Sequence, residues 1–277
     1  FHTNVIRKRR NGQLLLQREE AAERESPCDE KSLLSIEGAL EFADTVELDD
    51  VRALVQRQID YNYAIAQEGL RGNYGANIGS VLLKHDGDDV KVRAKAYAAA
   101  GSDARMNGCE LPVVIVSGSG NQGITSSVPV VVYAKELGVS EEKMLRAVVL
   151  SDLITIHQKS GIGRLSAYCG AISAGCGAGA GIAYLYGGGY EEIAHTVVNA
   201  LAVVSGVVCD GAKASCAAKI AAAVDAGILG YWMYREGNQF FGGDGIVSKG
   251  VENTIRNVGR LAREGMKETD KEIIKIM

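Results

Sequence analysis

At 277 residues the chain is long enough to form a large hydrophobic core without disulfides or a structural metal. Its composition, 47% hydrophobic and 23% charged, excludes a disordered or collagen-like chain. The net charge of −4 provides no general attraction to phosphate backbones or anionic membrane surfaces. We therefore expect small-molecule chemistry, with neither nucleic acid nor a membrane as partner.

The N-terminal part of the chain predicts a small α+β segment. Asn11 and Gly12 lie between two short β-prone runs, and this pair tolerates the positive φ angles that a tight hairpin turn requires. Apolar residues then keep helical spacing from Asp49 to about Leu70. A series of glycines follows, so we set a domain boundary between residues 1–72 and a helical catalytic domain of residues 73–277.

The second segment predicts a mainly α fold (α+β class) with glycine-rich loops. Further helices are expected at about 88–107, 140–159, 190–206, 211–230 and 249–265. The clear interruption is the apolar, β-branched run that ends in the glycine loop SGSGNQG. The residues after that loop contain Pro129 and more β-branched side chains, which favour a non-helical segment.

Residues 165–190 carry no charge over 26 positions, which satisfies the length test for a membrane-spanning helix. Glycine and alanine account for 14 of these residues, however, and large aliphatic side chains are few. A stretch of small residues is typical of a central helix packed closely on all sides in a soluble bundle. We expect such a helix here.

Four of the six cysteines are concentrated within 48 residues, as Cys169, Cys176, Cys209 and Cys216. The opening residues show no secretory signal, so we expect a reducing, cytoplasmic compartment. In that setting clustered cysteines indicate a metal or catalytic site, because disulfides are rare there. Simple packing of small apolar residues is the alternative.

The loop Ser117 to Gly123 contains a literal G-x-G-x-x-G. A dinucleotide fingerprint requires a helix after the last glycine, inside a β-α-β unit, and the residues after Gly123 predict neither. We therefore expect no NAD. Free backbone N–H groups and polar side chains in the loop favour a carboxylate or phosphate, and the predicted substrate-binding residues are Ser117, Gly118, Ser119, Asn121 and Gln122.

Three motifs in order, SGSGNQGITSSVPV, SGIGRLSAYCGAISAGCGAGAGIAYL and GVVCDGAKASCAAKIAAAV, resemble the L-cysteine desulfidase family, which is related to the alpha chain of iron–sulfur L-serine dehydratases. The resemblance implies a [4Fe–4S] cluster held by Cys169, Cys209 and Cys216, with Cys176 as an alternative to Cys169. It implies a lyase that needs no PLP and converts L-cysteine to sulfide, pyruvate and ammonia.

Two other functions stay open at this stage. An L-serine dehydratase would use the same type of cluster, and a non-catalytic metal- or cluster-binding helical protein would use only the cysteines. The general base is not identified by any motif. Members of the family usually carry an N-terminal region with a Gly-Cys-Thr-Glu-Pro motif, which is absent from this sequence. We therefore expect the chain to be a C-terminal portion that works with an N-terminal region or partner subunit, or as a homo-oligomer.

Overall fold

The computed structural model describes residues 6–18, 33–163 and 166–276. The chain divides into two compact units, Phe1–Leu33 and Leu34–Met277. In the first unit, strand β1 (Arg7–Arg10) pairs antiparallel with strand β2 (Gln13–Gln17). Asn11 and Gly12 connect them with φ angles of 49° and 83°. This is the predicted hairpin, with both turn residues in the left-handed region that the turn demands.

The described part of the second unit is helical, which confirms the mainly α class. Its helices are α1 (Ile36–Thr45), α2 (Leu48–Arg71), α3 (Ile78–Asp86), α4 (Val90–Met106), α5 (Gly120–Leu137), α6 (Glu141–Ile162), α7 (Gly170–Leu185), α8 (Tyr190–Val204), α9 (Cys216–Arg235), α10 (Val251–Arg260) and α11 (Lys267–Ile276). A short π-helical turn, Leu261–Gly265, joins α10 to α11. The predicted helices correspond to α2, α4, α6, α7, α8, α9 and α10, whereas α1, α3, α5 and α11 were not predicted.

Local signals account for the ends of the predicted helices. The Ser140 hydroxyl accepts a hydrogen bond from the N–H of Lys143 and caps α6, as expected from its position before the apolar repeat. Helix α9 begins at Cys216 instead of near residue 211, because residues 212–215 form turns. This difference matters for function, since it makes a predicted cysteine ligand the first residue of a helix.

Helix α7 lies at the centre of the second unit and packs against α5, α6, α8 and α9. Its glycines make this possible. A Cβ atom on Gly175 would lie 2.4 Å from the carbonyl oxygen of Ala223 on α9. On the opposite face of α7, a Cβ on Gly177 would lie 2.4 Å from the carbonyl oxygen of Ser151 on α6. The small residues therefore let helix backbones approach each other closely, as predicted for a central helix.

Among the described residues one helix, α9, meets the length and composition criteria for crossing a membrane. Of its apolar window, 56% is buried inside the protein. Helix α9 packs against α7, α8 and α4, so most of its apolar surface already has protein neighbours.

The segment after the glycine loop corrects the sequence interpretation. Residues 120–137 form helix α5, which includes Pro129, and not a β-branched extended segment. Every residue from Gly120 to Ala134 is buried, against α2, α4, α6 and α7. Because the helix is buried on all sides, it shows no polar face and no helical periodicity, and burial of its Val and Ile side chains outweighs their weak helix propensity.

The domain boundary predicted at residues 72 and 73 lies within the second unit. Helix α2 ends at Arg71, but it packs along α4 and α5 of the predicted catalytic domain. Asn62 of α2 illustrates the connection, since its side-chain amide exchanges hydrogen bonds of 3.1 and 2.9 Å with the backbone of Val114. The core is thus shared across the predicted boundary.

Candidate functional site

A cavity of about 360 Å³ lies where α5, α7 and α9 begin. Its wall contains all five residues predicted to bind substrate, Ser117, Gly118, Ser119, Asn121 and Gln122. It also contains the three predicted cluster ligands, Cys169, Cys209 and Cys216. The structure therefore brings together two sets of residues that are about 50 to 100 positions apart in the sequence.

The geometry of the helix ends gives this cavity a positive electrostatic character. In α5 the first intrahelical hydrogen bond runs from the N–H of Gly123 to the carbonyl oxygen of Ser119, at 3.1 Å. The N–H groups of Gly120, Asn121 and Gln122 precede it and have no partner within the helix. Aligned peptide dipoles add partial positive charge at each of the three N-termini. No acidic side chain lines the cavity within the described ranges.

Ser117 to Ser119 of the predicted glycine loop form a tight turn directly before α5, whereas Gly120 to Gly123 form the first turn of that helix and not a loop. Val116 and Ser119 exchange backbone hydrogen bonds of 3.2 and 3.1 Å, and the two residues between them have positive φ angles of 48° at Ser117 and 82° at Gly118. A serine in the left-handed region is uncommon, and such backbone strain concentrates at functional sites. The turn directs the chain so that α5 starts at the cavity wall.

Cys169 and Cys209 are brought together by a short antiparallel bridge between Tyr168 and Val208. The N–H of Cys169 donates to the carbonyl oxygen of Val207 at 3.1 Å, and the N–H of Cys209 donates to that of Ala167 at 2.6 Å. In an antiparallel pair, the residues that follow the two bridged residues point to the same face. Both thiols therefore project from the same side of the bridge.

The two neighbouring thiols influence each other's ionisation. The Cys209 sulfur raises the pKa of Cys169 well above its usual range. The Cys169 thiol in turn lowers the pKa of Cys209 to about 6, aided by the N–H of Gly211 and by the Lys219 ammonium. Cys209 is thus the thiol of the pair that ionises first.

Cys216 completes the set of thiols from the start of α9, where its thiol lies 3.5 Å from the carbonyl oxygen of Gly211. In the described part of the chain, no three His, Cys, Asp or Glu side chains are arranged around one point as a single metal ion requires. A four-iron cluster spreads its cysteine ligands over a larger volume than a single ion does. Three thiols on one cavity wall match the donor set of such a cluster.

Cys176 and Cys109 lie outside the wall of this cavity. Cys176 lies two turns into α7, is fully buried, and does not line the cavity. Burial raises its pKa to about 12, so it behaves as an apolar core residue. Cys109 lies beside Tyr74, also outside the cavity lining. Cys28 lies outside the described residues.

Two cationic side chains also line the cavity. Arg105 comes from the last turn of α4, and its Nη1 atom donates to Oδ1 of Asn121 at 3.2 Å. Lys159 comes from the last turn of α6 and is only 6% exposed. Burial lowers the pKa of Lys159, and the Cys209 and Cys169 sulfurs act in the opposite direction. Both cations add to the positive character of the helix termini.

Comparison with known proteins identifies the family. The model of the family described as "Serine dehydratase alpha chain" matches residues 10–275. The chain belongs to this family. No solved structure matches it.

Three similar proteins carry names that state no activity. A "UPF0597 protein" of Desulfitobacterium hafniense is 64% identical over the whole chain, one of Lachnoclostridium phytofermentans is 56% identical, and one of Treponema denticola is 46% identical. The chain spans 64%, 66% and 65% of the lengths of these relatives, respectively.

Sequence reasoning missed three residues that line this cavity, namely Arg105, Lys159 and Tyr168. Basic residues near helix C-termini are common because they complement the helix dipole, so the first two carried no distinguishing signal. Tyr168 is 1% exposed, and its hydroxyl has no hydrogen-bond partner in the described part of the structure. Its position directly before the predicted ligand Cys169 was the one available indication.

Proposed function

We propose that the chain carries the cluster-binding and substrate-binding site of an iron–sulfur lyase that eliminates sulfide from L-cysteine. The products are sulfide, pyruvate and ammonia. One observation carries the proposal, namely that three cysteines and the glycine loop share one small cavity lined by positive charge. Membership in the serine dehydratase alpha-chain family supports the lyase class.

Cys169, Cys209 and Cys216 would hold a [4Fe–4S] cluster. Their surroundings suit this role because the N–H groups of Ala171 and Gly211 act to lower the pKa values of Cys169 and Cys209. Hydrogen bonds to sulfur and nearby positive charge favour thiolate over thiol. When bound through three cysteines, such a cluster supplies an open iron that acts as a Lewis acid toward the β-substituent of the substrate.

The chain's own residues would bind and orient the amino acid. The glycine loop and the free N–H groups of α5 offer donors to the substrate carboxylate. Elimination removes the Cα proton and breaks the Cβ–S bond, which yields aminoacrylate and hydrosulfide. Aminoacrylate then takes up water to give pyruvate and ammonia. The base that removes the Cα proton is not assigned.

L-cysteine is preferred over L-serine on chemical grounds. The substrate thiol ionises far more readily than a hydroxyl, and the cavity favours an anionic sulfur through its helix N-termini, Arg105 and Lys159. Thiolates are also softer ligands for iron than alkoxides. L-serine dehydration is the second candidate, favoured by the description of the family.

Anaerobic reconstitution with iron and sulfide tests this proposal. We expect the absorption and EPR signals of a [4Fe–4S] cluster, changes in these signals on adding L-cysteine, and release of pyruvate with an equal amount of sulfide. Cys209→Ser should abolish iron uptake, whereas the control Cys109→Ser should retain it, because Cys109 lies away from the cavity. Normal iron uptake by the Cys209→Ser variant would contradict the assignment. Faster turnover of L-serine than of L-cysteine would instead support the second candidate, an L-serine dehydratase.

We also propose that this site works together with a further region of the protein or a partner subunit, in a reducing, cytoplasmic compartment. The length of the relatives supports the first part, since the chain spans 64% of the Desulfitobacterium protein. The five described cysteines are free thiols, as expected in a reducing compartment. The intact mass of the gene product would reveal a further region, and the mass of any protein that copurifies with it would reveal a partner subunit. Full activity from the 277-residue chain alone would contradict the first part.

A further inference from the structure

We propose that Arg105 binds the α-carboxylate of the substrate, so that the cavity selects α-amino acids over amines. This inference rests on the proposed function and adds a residue that no sequence motif indicated. Its basis is the position of the guanidinium group, the lack of an acidic partner for it among the described residues, and a hydrogen-bond acceptor beside it in the same cavity.

Arg105 is held against the start of α5 by two contacts. Its Nη1 atom donates to Oδ1 of Asn121 at 3.2 Å. A Cβ atom on Gly120 would lie 2.3 Å from its Nε atom, so the guanidinium packs directly over this glycine. The side chain is therefore oriented beside the glycine loop before any ligand binds, which reduces the entropy that binding must overcome. The side-chain oxygen of Asn121 already accepts this hydrogen bond from Arg105. Asn121 therefore acts partly by orienting the guanidinium group.

Arg105 has no counterion among the residues that the structure describes. Within the described ranges no carboxylate forms an ion pair with Arg105, whereas Arg93, on the same helix, pairs with Glu136. Half-buried cations are normally compensated by an anion. An anionic ligand group in the cavity would supply this compensation, and a carboxylate matches the planar, two-pronged geometry of a guanidinium.

Gln122 indicates that the ligand carries a hydrogen-bond donor in addition to its carboxylate. It lines the same cavity, is only 7% exposed, and its Oε1 atom has no hydrogen-bond partner in the described part of the structure. An unpartnered acceptor costs free energy unless a ligand donates to it. A cation and an acceptor on one wall match the carboxylate and ammonium of an α-amino acid. A phosphate would satisfy only the cation.

Arg105 also lies near Cys216, which offers a different role, namely charge compensation of the thiolates. The two roles are separated by comparing L-cysteine with cysteamine, which has the same thiol and amine but no carboxylate. A carboxylate contact affects only L-cysteine. Charge compensation of the thiolates affects both ligands and the cluster itself.

The experiment measures binding of both ligands to the anaerobically reconstituted gene product, followed through the cluster absorption. In Arg105→Gln the affinity for L-cysteine should fall about 10- to 100-fold, while the affinity for cysteamine changes less than about twofold. Iron content and the spectrum without ligand should stay unchanged. Arg105→Lys should recover part of the lost affinity, which also shows that the site still folds. The matched control is Arg93→Gln, which should bind both ligands like the wild type.

Equal weakening of both ligands, or loss of iron in Arg105→Gln, would overturn the carboxylate assignment. If the wild type takes up no iron, the proposed function fails, but Arg105 can still be tested on the metal-free protein. L-alanine and ethylamine then serve as ligands, followed by NMR. Binding of L-alanine that Arg105→Gln weakens, with no effect on ethylamine, supports the assignment. Absence of L-alanine binding, or binding that is insensitive to Arg105, overturns it.

Discussion

The contact between α7 and α9 can be tested by adding a single methyl group at Gly227. A Cβ atom at this position would lie 2.3 Å from the carbonyl oxygen of Gly175 and 3.2 Å from the N atom of Gly179, both on α7. Ordinary contacts of a Cβ atom begin near 3.4 Å. All the atoms in the way belong to the backbone, so the substitution Gly227→Ala must push the two helices apart locally by about 1 Å.

The expected loss of stability follows from two opposing effects. Overpacking of a dense core costs about 1 to 3 kcal/mol, and the higher value applies here because no flexible side chain can move aside. Alanine gains about 1 kcal/mol over glycine within a helix. The net free energy of unfolding should therefore fall by about 2 kcal/mol. For a protein of this size, that corresponds to a decrease in Tm of roughly 4 to 8 °C.

Urea denaturation of the metal-free protein, followed by circular dichroism, measures this loss. The matched control is Gly161→Ala on α6, where the nearest atom, Cα of Gly259, lies 3.7 Å from the added Cβ. This control should be as stable as the wild type or up to about 1 kcal/mol more stable. If Gly227→Ala behaves like the control, the close approach of the two helices is refuted.

The same substitution should affect the site. Helix α7 begins directly after Cys169, and α9 begins with Cys216. Displacement of one helix against the other therefore changes the separation of these two thiols. We expect weaker iron retention in Gly227→Ala than in Gly161→Ala, measured as the rate of iron loss to a chelator. Equal rates would show that the thiols are positioned independently of this contact.

Three further substitutions test two buried charged groups of the second unit and the substrate-binding role of Asn121. Burial raises the pKa of Asp152 to about 6 from 3.8, even though the Ser126 hydroxyl donates to it at 2.7 Å. An acid with a raised folded-state pKa stabilises the protein below its unfolded-state pKa and loses that contribution as the pH rises through about 6. Asp152→Asn should therefore remove a decline in stability between about pH 4 and 6 and add about 1 to 2 kcal/mol at pH 7, after allowance for solvent screening of this partly exposed group. Lys159 is a base whose pKa is lowered by burial. Lys159→Met should stabilise the metal-free protein by about 1 kcal/mol at pH 7, and the gain should vanish above about pH 10.5, as urea titrations at several pH values would reveal. Asn121→Ala should raise the KM for L-cysteine by a factor equivalent to about 1 to 3 kcal/mol and leave the cluster absorption unchanged, and an unaltered KM would contradict a role of the loop in binding.

Local patterns in the sequence determined much of the fold. The Asn11-Gly12 pair specified the hairpin, because few other residues accept two successive positive φ angles. Amphipathic periodicity located α2, and Ser140 marked the start of α6 through its side-chain cap. The small residues of α7 indicated a closely packed central helix. Each of these features leaves a pattern among residues close together in the chain, so a single sequence records it.

The tertiary structure decided the rest. Helix α5 was misread because it is buried on all sides, so no polar face marks its period, and contacts with four other helices outweigh the propensity of its β-branched residues. The cavity likewise depends on helix packing, which brings the starts of α5, α7 and α9 together. Arg105 and Lys159 acquire their significance only there. Burial, and the lack of an ion-pair partner among the described residues, are properties of a residue's surroundings in space and not of its neighbours in the chain.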